Sequence, residues 1–309
     1  MFYLIALGFY PVMLALVIPI GLLLTGIVEK RQEVDKEVGV ALAPLAGLAV
    51  VIAGISVLLH LGAPARALVP ILTFLNILAV FYLLFGFRRR FHWPELKILL
   101  ILAGLGLVAY AVLISPLLAG GQPGVLGYGV NNDPVFHAII PEYIDANGYD
   151  FPASPNGGFA EAAVDKLVTQ GYPDGWHQIL LLAMRVFGLR AFFLFNFAEA
   201  FFAALLVPVA YIWLRKIGVS KLWAGGGGLV TGIGYTQLTY AFQGFAPQVA
   251  VTPFLYAGMF LFFEVIEERR RGLYVLLTAL IIQAGLAIYS FTILLWIGIF
   301  LLCLVAYKT

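Results

Sequence analysis

Long apolar runs recur along the whole sequence, and each is close to the length that a helix needs to cross a membrane. About 20 mostly apolar residues, each adding about 1.5 Å of rise, span the hydrocarbon core of a bilayer. Hydrophobic residues make up 62% of the chain and charged residues only 11%, which is roughly half the charge of a soluble domain. The sequence therefore predicts an all-α polytopic membrane protein.

About nine runs qualify as transmembrane helices. The last stretch is too long for one crossing and is divided near Tyr289 and Ser290 into two short halves, which are typical of helices that stop partway or line a cavity. A glycine cluster at Gly225–Gly228 lacks the lysine and strand context of a phosphate loop and predicts close helix packing. The predicted spans cover about residues 3–28, 38–60, 67–87, 97–118, 191–214, 222–240 and 248–266, with a pair within 272–306.

The basic residues orient these spans, because positively charged connections stay in the cytoplasm. With nine spans, fourteen of the eighteen lysine and arginine residues fall on one side of the membrane. The N-terminus is then extracytoplasmic and the C-terminus at Thr309 cytoplasmic, in a multi-pass protein of the cell membrane. The outer side keeps only Arg66, Lys166, Arg185 and Arg190.

This topology leaves residues 119–190 as one extracytoplasmic loop, which holds seven of the sixteen acidic residues. Loops of this length in a compact protein are usually functional or disordered. Asp133 and Pro134 predict the start of a helix that Gly148 closes, and 159–170 predicts a second short helix. The apolar stretch Gly175–Gly188 is too short to span, and we expect it to lie along the outer interface as an amphipathic helix.

Two aspartate–histidine pairs in this loop are the candidate catalytic residues. Asp133 and His137 are four residues apart, and Asp174 and His177 are three apart, so each pair shares one helical face. Each aspartate stands at a predicted helix start, where the helix dipole favours the ionised carboxylate. Such a carboxylate is suited to act as a general base. Taken singly, each aspartate is equally well explained as a helix cap and each histidine as a structural hydrogen-bonding group.

Both loop segments resemble motifs of the membrane glycosyltransferases of the GT-C fold. Asn131-Asn132-Asp133-Pro134-Val135-Phe136-His137 is similar to the family's first-loop motif. Tyr172-Pro173-Asp174-Gly175-Trp176-His177, followed by Phe187-Gly188, is similar to its second motif. The resemblance covers roughly residues 97–306, and its specific part is the loop.

The resemblance implies transfer of a sugar from a polyprenyl-phosphate-linked donor to an extracytoplasmic glycan, lipid or protein acceptor, with inversion at the sugar. By the motif match, Asp133 takes the role of the catalytic base. His137, Asp174 and His177 match positions near the family's catalytic cleft. Some members use a metal, so a divalent cation held by the two aspartates and two histidines is an alternative, although the spacing is not a dedicated ligand motif.

The chain departs from the family pattern at both ends. Three additional spans form an N-terminal region, residues 1–96, before the GT-C-like core at 97–309. The sequence stops at Thr309 directly after a span, where family members usually carry further helices or a soluble domain. We therefore expect a fragment, a reduced member, or a chain whose membrane partner subunit supplies the rest.

Other polar residues in or near the spans are candidates for substrate binding. Glu199 lies inside the fifth span and should face protein or water, because a charge in the bilayer centre is costly. Arg185 and Arg190 either hold a lipid phosphate or anchor the interfacial helix to head groups. Gln243 and Gln248, in the outer segment 240–248, are candidates for contact with sugar.

Two other classes of function compete with the glycosyltransferase. A transporter would carry polar groups along its spans near the midplane, where Glu199 is nearly the only acid. A non-catalytic membrane subunit would use the outer loop to hold a partner. Binding of nucleic acid is excluded, because no basic tract with interleaved aromatic residues is present.

Overall fold

The computed structural model of the chain describes residues 1–32, 36–85, 93–121, 133–148, 158, 165, 171–234, 245–267 and 272–308. Within these residues every regular element is helical. Short 3₁₀ turns lie at Ala65–Ala67 and Ser290–Thr292. The α-helices are Phe2–Gln32 (α1), Lys36–His60 (α2), Leu68–Phe85 (α3), Trp93–Leu113 (α4), Ser115–Gly120 (α5), Asp133–Asn147 (α6), Gly175–Phe187 (α7), Ala191–Ala204 (α8), Leu206–Lys216 (α9), Lys221–Ile233 (α10), Ala246–Glu267 (α11), Leu273–Ile288 (α12) and Ile293–Lys308 (α13).

Six helical segments of the described residues are long and apolar enough to cross a membrane, rather than the nine predicted. They confirm a helical membrane protein. The other three predicted spans are the shorter helices α10, α12 and α13, of 13, 16 and 16 residues. The predicted break near Tyr289 is present, because α12 ends at Ile288. The six segments are Phe2–Ile27, Lys36–His60, Ala65–Phe85, Leu96–Leu113, Ala191–Lys216 and Ala246–Ile266.

Helices α8 and α9 together form one of these six segments and are separated only by Leu205. Pro208 in the first turn of α9 explains the interruption, since proline has no N–H to donate to the carbonyl four residues earlier. Inside the segment, α9 also packs against the glycine-rich α10. A Cβ atom on Gly228 would stand 2.6 Å from the carbonyl oxygen of Val207, so the predicted packing role of the glycine cluster is confirmed.

The first two helices cross with their backbones in direct contact. A Cβ atom on Gly21 of α1 would lie 1.8 Å from the carbonyl oxygen of Ala43, and one on Gly47 of α2 would lie 1.9 Å from that of Val17. Only glycine permits this approach, as is common between membrane helices. The crossing holds the N-terminal helices together as one layer.

A single apolar core joins this layer to the rest of the chain. Phe9 of α1 stacks on Phe187 of α7, with ring centroids 5.0 Å apart, and also contacts Phe197 and Phe201 of α8. Tyr110 of α4 donates a hydrogen bond of 2.6 Å to the carbonyl oxygen of Ala6. Residues from both 1–96 and 97–309 therefore share one core.

Helix α7 differs most from the sequence prediction. It has the predicted limits, and Gly188 ends it with a φ of +65°. However, ten successive residues, from Gly175 to Met184, are buried inside the protein. The predicted position along the outer interface is therefore wrong. Its amphipathic pattern arises because the polar side chains face helix α6 and the chain before α7, whereas an interfacial helix would turn them to water.

We expect Gly47→Ala to lower the unfolding temperature of the detergent-purified protein. The added methyl group would overlap the carbonyl of Val17, and overpacking of this kind costs about 1–3 kcal/mol. Gly54→Ala is the matched control, because it lies on the same helix with no atom within 4 Å of its Cβ position. That control should be neutral or stabilising, since alanine favours a helix by roughly 0.5–1 kcal/mol over glycine. Equal melting of the two variants would contradict the close crossing.

Candidate functional site

The two histidines predicted from separate motifs form a direct pair. Nδ1 of His137, on α6, lies 2.9 Å from Nε2 of His177, on α7. Both side chains are buried, with 3% and 0% of their surface exposed. The pair therefore joins two loop segments that are 40 residues apart in sequence.

The local sequence positions each ring. Helix α6 begins at Asp133, as predicted, and ends before Gly148, which has a φ of +69°. His137 lies one turn after Asp133, on the side of α6 that packs against α7. The side chain of Asp133 lies outside the described part of the structure. Its helix start nevertheless places Asp133 one turn from the histidine pair.

Burial disfavours a charge on His177. Removal from water, and secondly the neighbouring His137, hold the pKa of His177 well below its usual range, while the backbone of Pro173 opposes this shift. Two nitrogens at 2.9 Å share one hydrogen, so one ring donates and the other accepts. A proton added to His177 would be desolvated. His177 is thus suited to orient a hydrogen bond without carrying charge.

Aromatic rings enclose the pair. Tyr172 lies 5.9 Å from the ring of His137 and 6.2 Å from that of His177. Phe291, in the turn between α12 and α13, contacts Tyr172 at 6.1 Å. The tip of the hairpin formed by α12 and α13 therefore lies against the site.

Gln248, predicted as a substrate-binding residue, is linked to this hairpin tip. Its Nε2 donates a hydrogen bond of 3.2 Å to the hydroxyl of Tyr289, and the ring of Tyr289 contacts Phe291 at 5.4 Å. Gln248 thus reaches the histidine pair through three aromatic rings. Gln243, the other predicted glutamine, lies outside the described residues.

Asp174 precedes α7 as predicted but does not cap it. Its φ and ψ of −107° and −6° are near-helical, and its side chain makes no capping hydrogen bond. Instead Oδ2 of Asp174 accepts a hydrogen bond of 2.7 Å from Nε2 of Gln178. The explanation of Asp174 as a helix cap is therefore wrong, because a capping residue needs an extended backbone. Asp174 remains within one helical turn of His177.

The two outer arginines are paired with acidic residues of α6. Arg185 forms an ion pair with Asp145. Arg190 contacts both carboxylate oxygens of Glu142, with Nη2 2.6 Å from Oε2. These pairs fasten α7 and the chain after it to α6. The two predicted roles were lipid phosphate binding and membrane anchoring, and neither explains these ion pairs. The acidic partners lie 40 and 48 residues before the arginines in the sequence.

Glu199 faces the protein interior, as its position in a span required. It is fully buried, and its Oε2 accepts a hydrogen bond of 3.1 Å from Asn196. The indole of Trp176, the residue before His177, packs against Phe195 and Phe202. These rings flank Glu199 on its helix, so α7 lies over the face that carries this carboxyl group.

Within the described residues, no group of three or more His, Cys, Asp or Glu side chains is placed to hold a metal ion. Apart from Asp165, the predicted second loop helix at 159–170 lies outside the described residues, as does Lys166.

Sequence comparison places the chain in one family. It belongs to a family of unknown function, DUF6541, whose model matches residues 13–309. No curated protein and no solved structure matches the chain. Because the family match includes the N-terminal helices, these helices are part of the family's common unit.

We expect the unfolding temperature to fall as the pH is lowered from 7 to 5, partly through His177. Its folded-state pKa is lowered, so below the free imidazole value of about 6.5 the unfolded chain binds the proton more readily. Stability from the neutral ring is thus complete above that pH and is lost below it. The limit for one such histidine is about 1.4 kcal/mol per pH unit.

The variant His177→Gln should show a shallower pH dependence than the wild type, whereas His60→Gln should keep the wild-type slope. His60 is exposed at the end of α2, and the three proteins differ only at these two positions. Retention of the full slope by His177→Gln would show that this ring is not held neutral.

A charge exchange tests the fastening of α7 to α6. Arg185→Asp alone, or Asp145→Arg alone, should lower the unfolding temperature by placing like charges together. The double variant should recover most of the loss. Because the pair is partly exposed, with 34% and 25% of the two side chains accessible, the coupling should be about 1 kcal/mol or less. Additive single effects would contradict the pairing.

Proposed function

We propose that this member of the DUF6541 family is a membrane glycosyltransferase that moves a sugar from a polyprenyl-phosphate-linked donor to an extracytoplasmic acceptor. The observation that carries the proposal is the contact between His137 and His177. It unites the two loop segments that resemble GT-C motifs into one polar centre. A chance resemblance in two separate segments would not require them to meet.

The depth of the site supports a lipid-linked substrate. Helices α12 and α13 have 16 residues each, about 24 Å of rise, whereas the hydrocarbon core is about 30 Å thick. The turn between them, Ser290–Thr292, contacts Tyr172 beside the histidines through Phe291. A hairpin that starts at one membrane surface therefore ends near the opposite boundary, where a lipid phosphate lies.

For the topology we propose nine crossings, with α10, α12 and α13 completing the six longer spans. The N-terminus is then extracytoplasmic and the loop 119–190 lies outside, which places the histidine pair on the extracytoplasmic side. On the inner side, Glu37 accepts hydrogen bonds from Tyr211 and Arg215 and pairs with Lys221. These contacts agree with a basic cytoplasmic surface.

In the proposed reaction, the acceptor hydroxyl gives its proton to the carboxylate of Asp133. The acceptor oxygen forms a bond to the anomeric carbon, and the bond from that carbon to the phosphate oxygen breaks. Polyprenyl phosphate leaves, and the anomeric configuration inverts. His137 and His177 act as positioning residues, because their contact fixes α6 against α7. Asp174 is a further positioning residue and holds Gln178 at the start of α7. Gln248 supports the hairpin tip at the same cleft.

One observation favours a second candidate, a transporter. Glu199 is fully buried within a candidate span, and ionisable groups at such positions often mark a substrate or proton path. A transporter would depend on Glu199 and retain its activity without Asp133. A glycosyltransferase would instead lose its activity without Asp133 and retain it without Glu199.

We expect Asp133→Asn to abolish sugar transfer while the protein remains folded and still binds donor. Loss of a general base typically costs about 10²–10⁴-fold in rate. The measurement is transfer from a panel of polyprenyl-phosphate sugars by the full chain in detergent or lipid. Asp165→Asn is the matched control, since Asp165 is an exposed loop carboxylate, and it should keep the parental rate.

Unchanged transfer by Asp133→Asn would remove this residue from the role of base. Absence of transfer by the parent across the panel would argue for the transporter or for a non-catalytic subunit that holds a membrane partner.

A further inference from the structure

The paired arginines leave one described cation at the site end of the molecule without an acidic partner. Arg185 and Arg190 are neutralised by Asp145 and Glu142. Arg66 is exposed, and within the described residues it forms no ion pair. Among the described cations at this end, Arg66 is therefore the one whose charge is available to a phosphate that approaches.

The position of Arg66 is fixed by the fold. It lies in the 3₁₀ turn Ala65–Ala67. The preceding residue, Ala65, and the residue after the turn, Leu68, are buried, with 4% and 2% of their surface exposed. This turn packs against both α6 and α7, the two helices that carry the histidine pair. The guanidinium is thus held on a rigid turn beside the site, although its side chain remains accessible.

The helix that follows Arg66 offers the surface that a lipid tail needs. Helix α3 begins at Leu68, and Asn76 holds it to α1 by a hydrogen bond of 2.8 Å to the carbonyl oxygen of Leu16. Apart from this seam it is largely uncovered, with Phe74, Ile77 and Phe81 each about 60% exposed. A phosphate at Arg66 would lie at the end of this apolar face.

We infer that Arg66 binds the phosphate of an isoprenoid phosphate lipid, whose hydrocarbon chain lies along α3. Arginine suits this role because its fork of N–H donors matches phosphate oxygens and is only weakly hydrated. The inference rests on the proposed function and deepens it, since it assigns the donor's phosphate to the N-terminal helices. Arg66 binds phosphate and takes no part in the transfer of the proton.

Binding of a polyprenyl monophosphate to the full chain in phosphatidylcholine nanodiscs tests this assignment directly. Arg66→Gln should weaken the affinity at least ten-fold, and Arg66→Lys should recover part of the loss. The corresponding polyprenol, which has no phosphate, should bind the wild type and Arg66→Gln equally. Arg190→Gln is the matched control, because Arg190 is also exposed but is paired with Glu142, and it should stay within two-fold of the wild type.

Several outcomes would overturn the assignment. They are equal losses in Arg66→Gln and Arg190→Gln, no phosphate-dependent binding by the wild type, equal competition by phosphatidylglycerol, or displacement by inorganic phosphate at the same concentration. The third would indicate a general head-group anchor and the fourth a soluble phosphate site. The unfolding temperature of Arg66→Gln should be unchanged, so that misfolding cannot explain the loss.

The assignment and the proposed function fail separately. If the protein binds the phosphate lipid through Arg66 but transfers no sugar, the site stands and the glycosyltransferase falls. If it transfers sugar with the same KM in wild type and Arg66→Gln, the glycosyltransferase stands and the phosphate lies elsewhere. A rise in KM for the donor at constant kcat is the kinetic result expected of a binding residue.

Discussion

The burial of helix α7 is the constraint on which the rest of the site depends. Ten consecutive buried residues mean that neighbours must cover this short helix on every side. Helices α2, α3, α6, α8 and α12 all contact it. At its start, a Cβ atom on Gly175 would lie 2.9 Å from the backbone of Ala287. The position of His177 is therefore set by packing, and not by a flexible loop.

This burial also explains the chemistry of the histidine pair. A charged imidazole at His177 would lose its hydration, which is costly for an ion. The ion pairs that join this part of the chain to α6 lie farther along, where Arg185 and Arg190 meet Asp145 and Glu142 at partly exposed positions. The fastening of α6 to α7 therefore does not require a buried ion pair.

The sequence predicted the local features well because local chemistry determines them. Gly148 and Gly188 end α6 and α7 at the predicted residues, since both adopt a positive φ that favours glycine. The break beside Tyr289 and the packing role of the glycine cluster in α10 are of the same kind. Each follows from residues that lie within a few positions of one another.

The features that were missed depend on contacts between distant residues. The hydrophobic pattern of α7 shows that it has two faces, but it does not show whether water or helix α6 meets the polar one. The acidic partners of Arg185 and Arg190 lie 40 and 48 residues earlier, so both arginines resembled free membrane ligands. The direct contact of His137 with His177 has no local signal either, because the two residues lie 40 positions apart in the sequence.

The N-terminal helices pack in one unit with the histidine pair, although the resemblance to known enzymes begins only near residue 97. Phe9 stacks on the last residue of α7, and the turn Ala65–Ala67 contacts both helices of the histidine pair. A core that began at residue 97 would leave the α1 side and the α2 side of α7 uncovered. Exposed apolar surface on a helix that must hold a buried histidine would cost both stability and position. The family match across residues 13–309 is consistent with this dependence, since it includes the N-terminal helices. A separable appendage would not need to share one apolar core with the site.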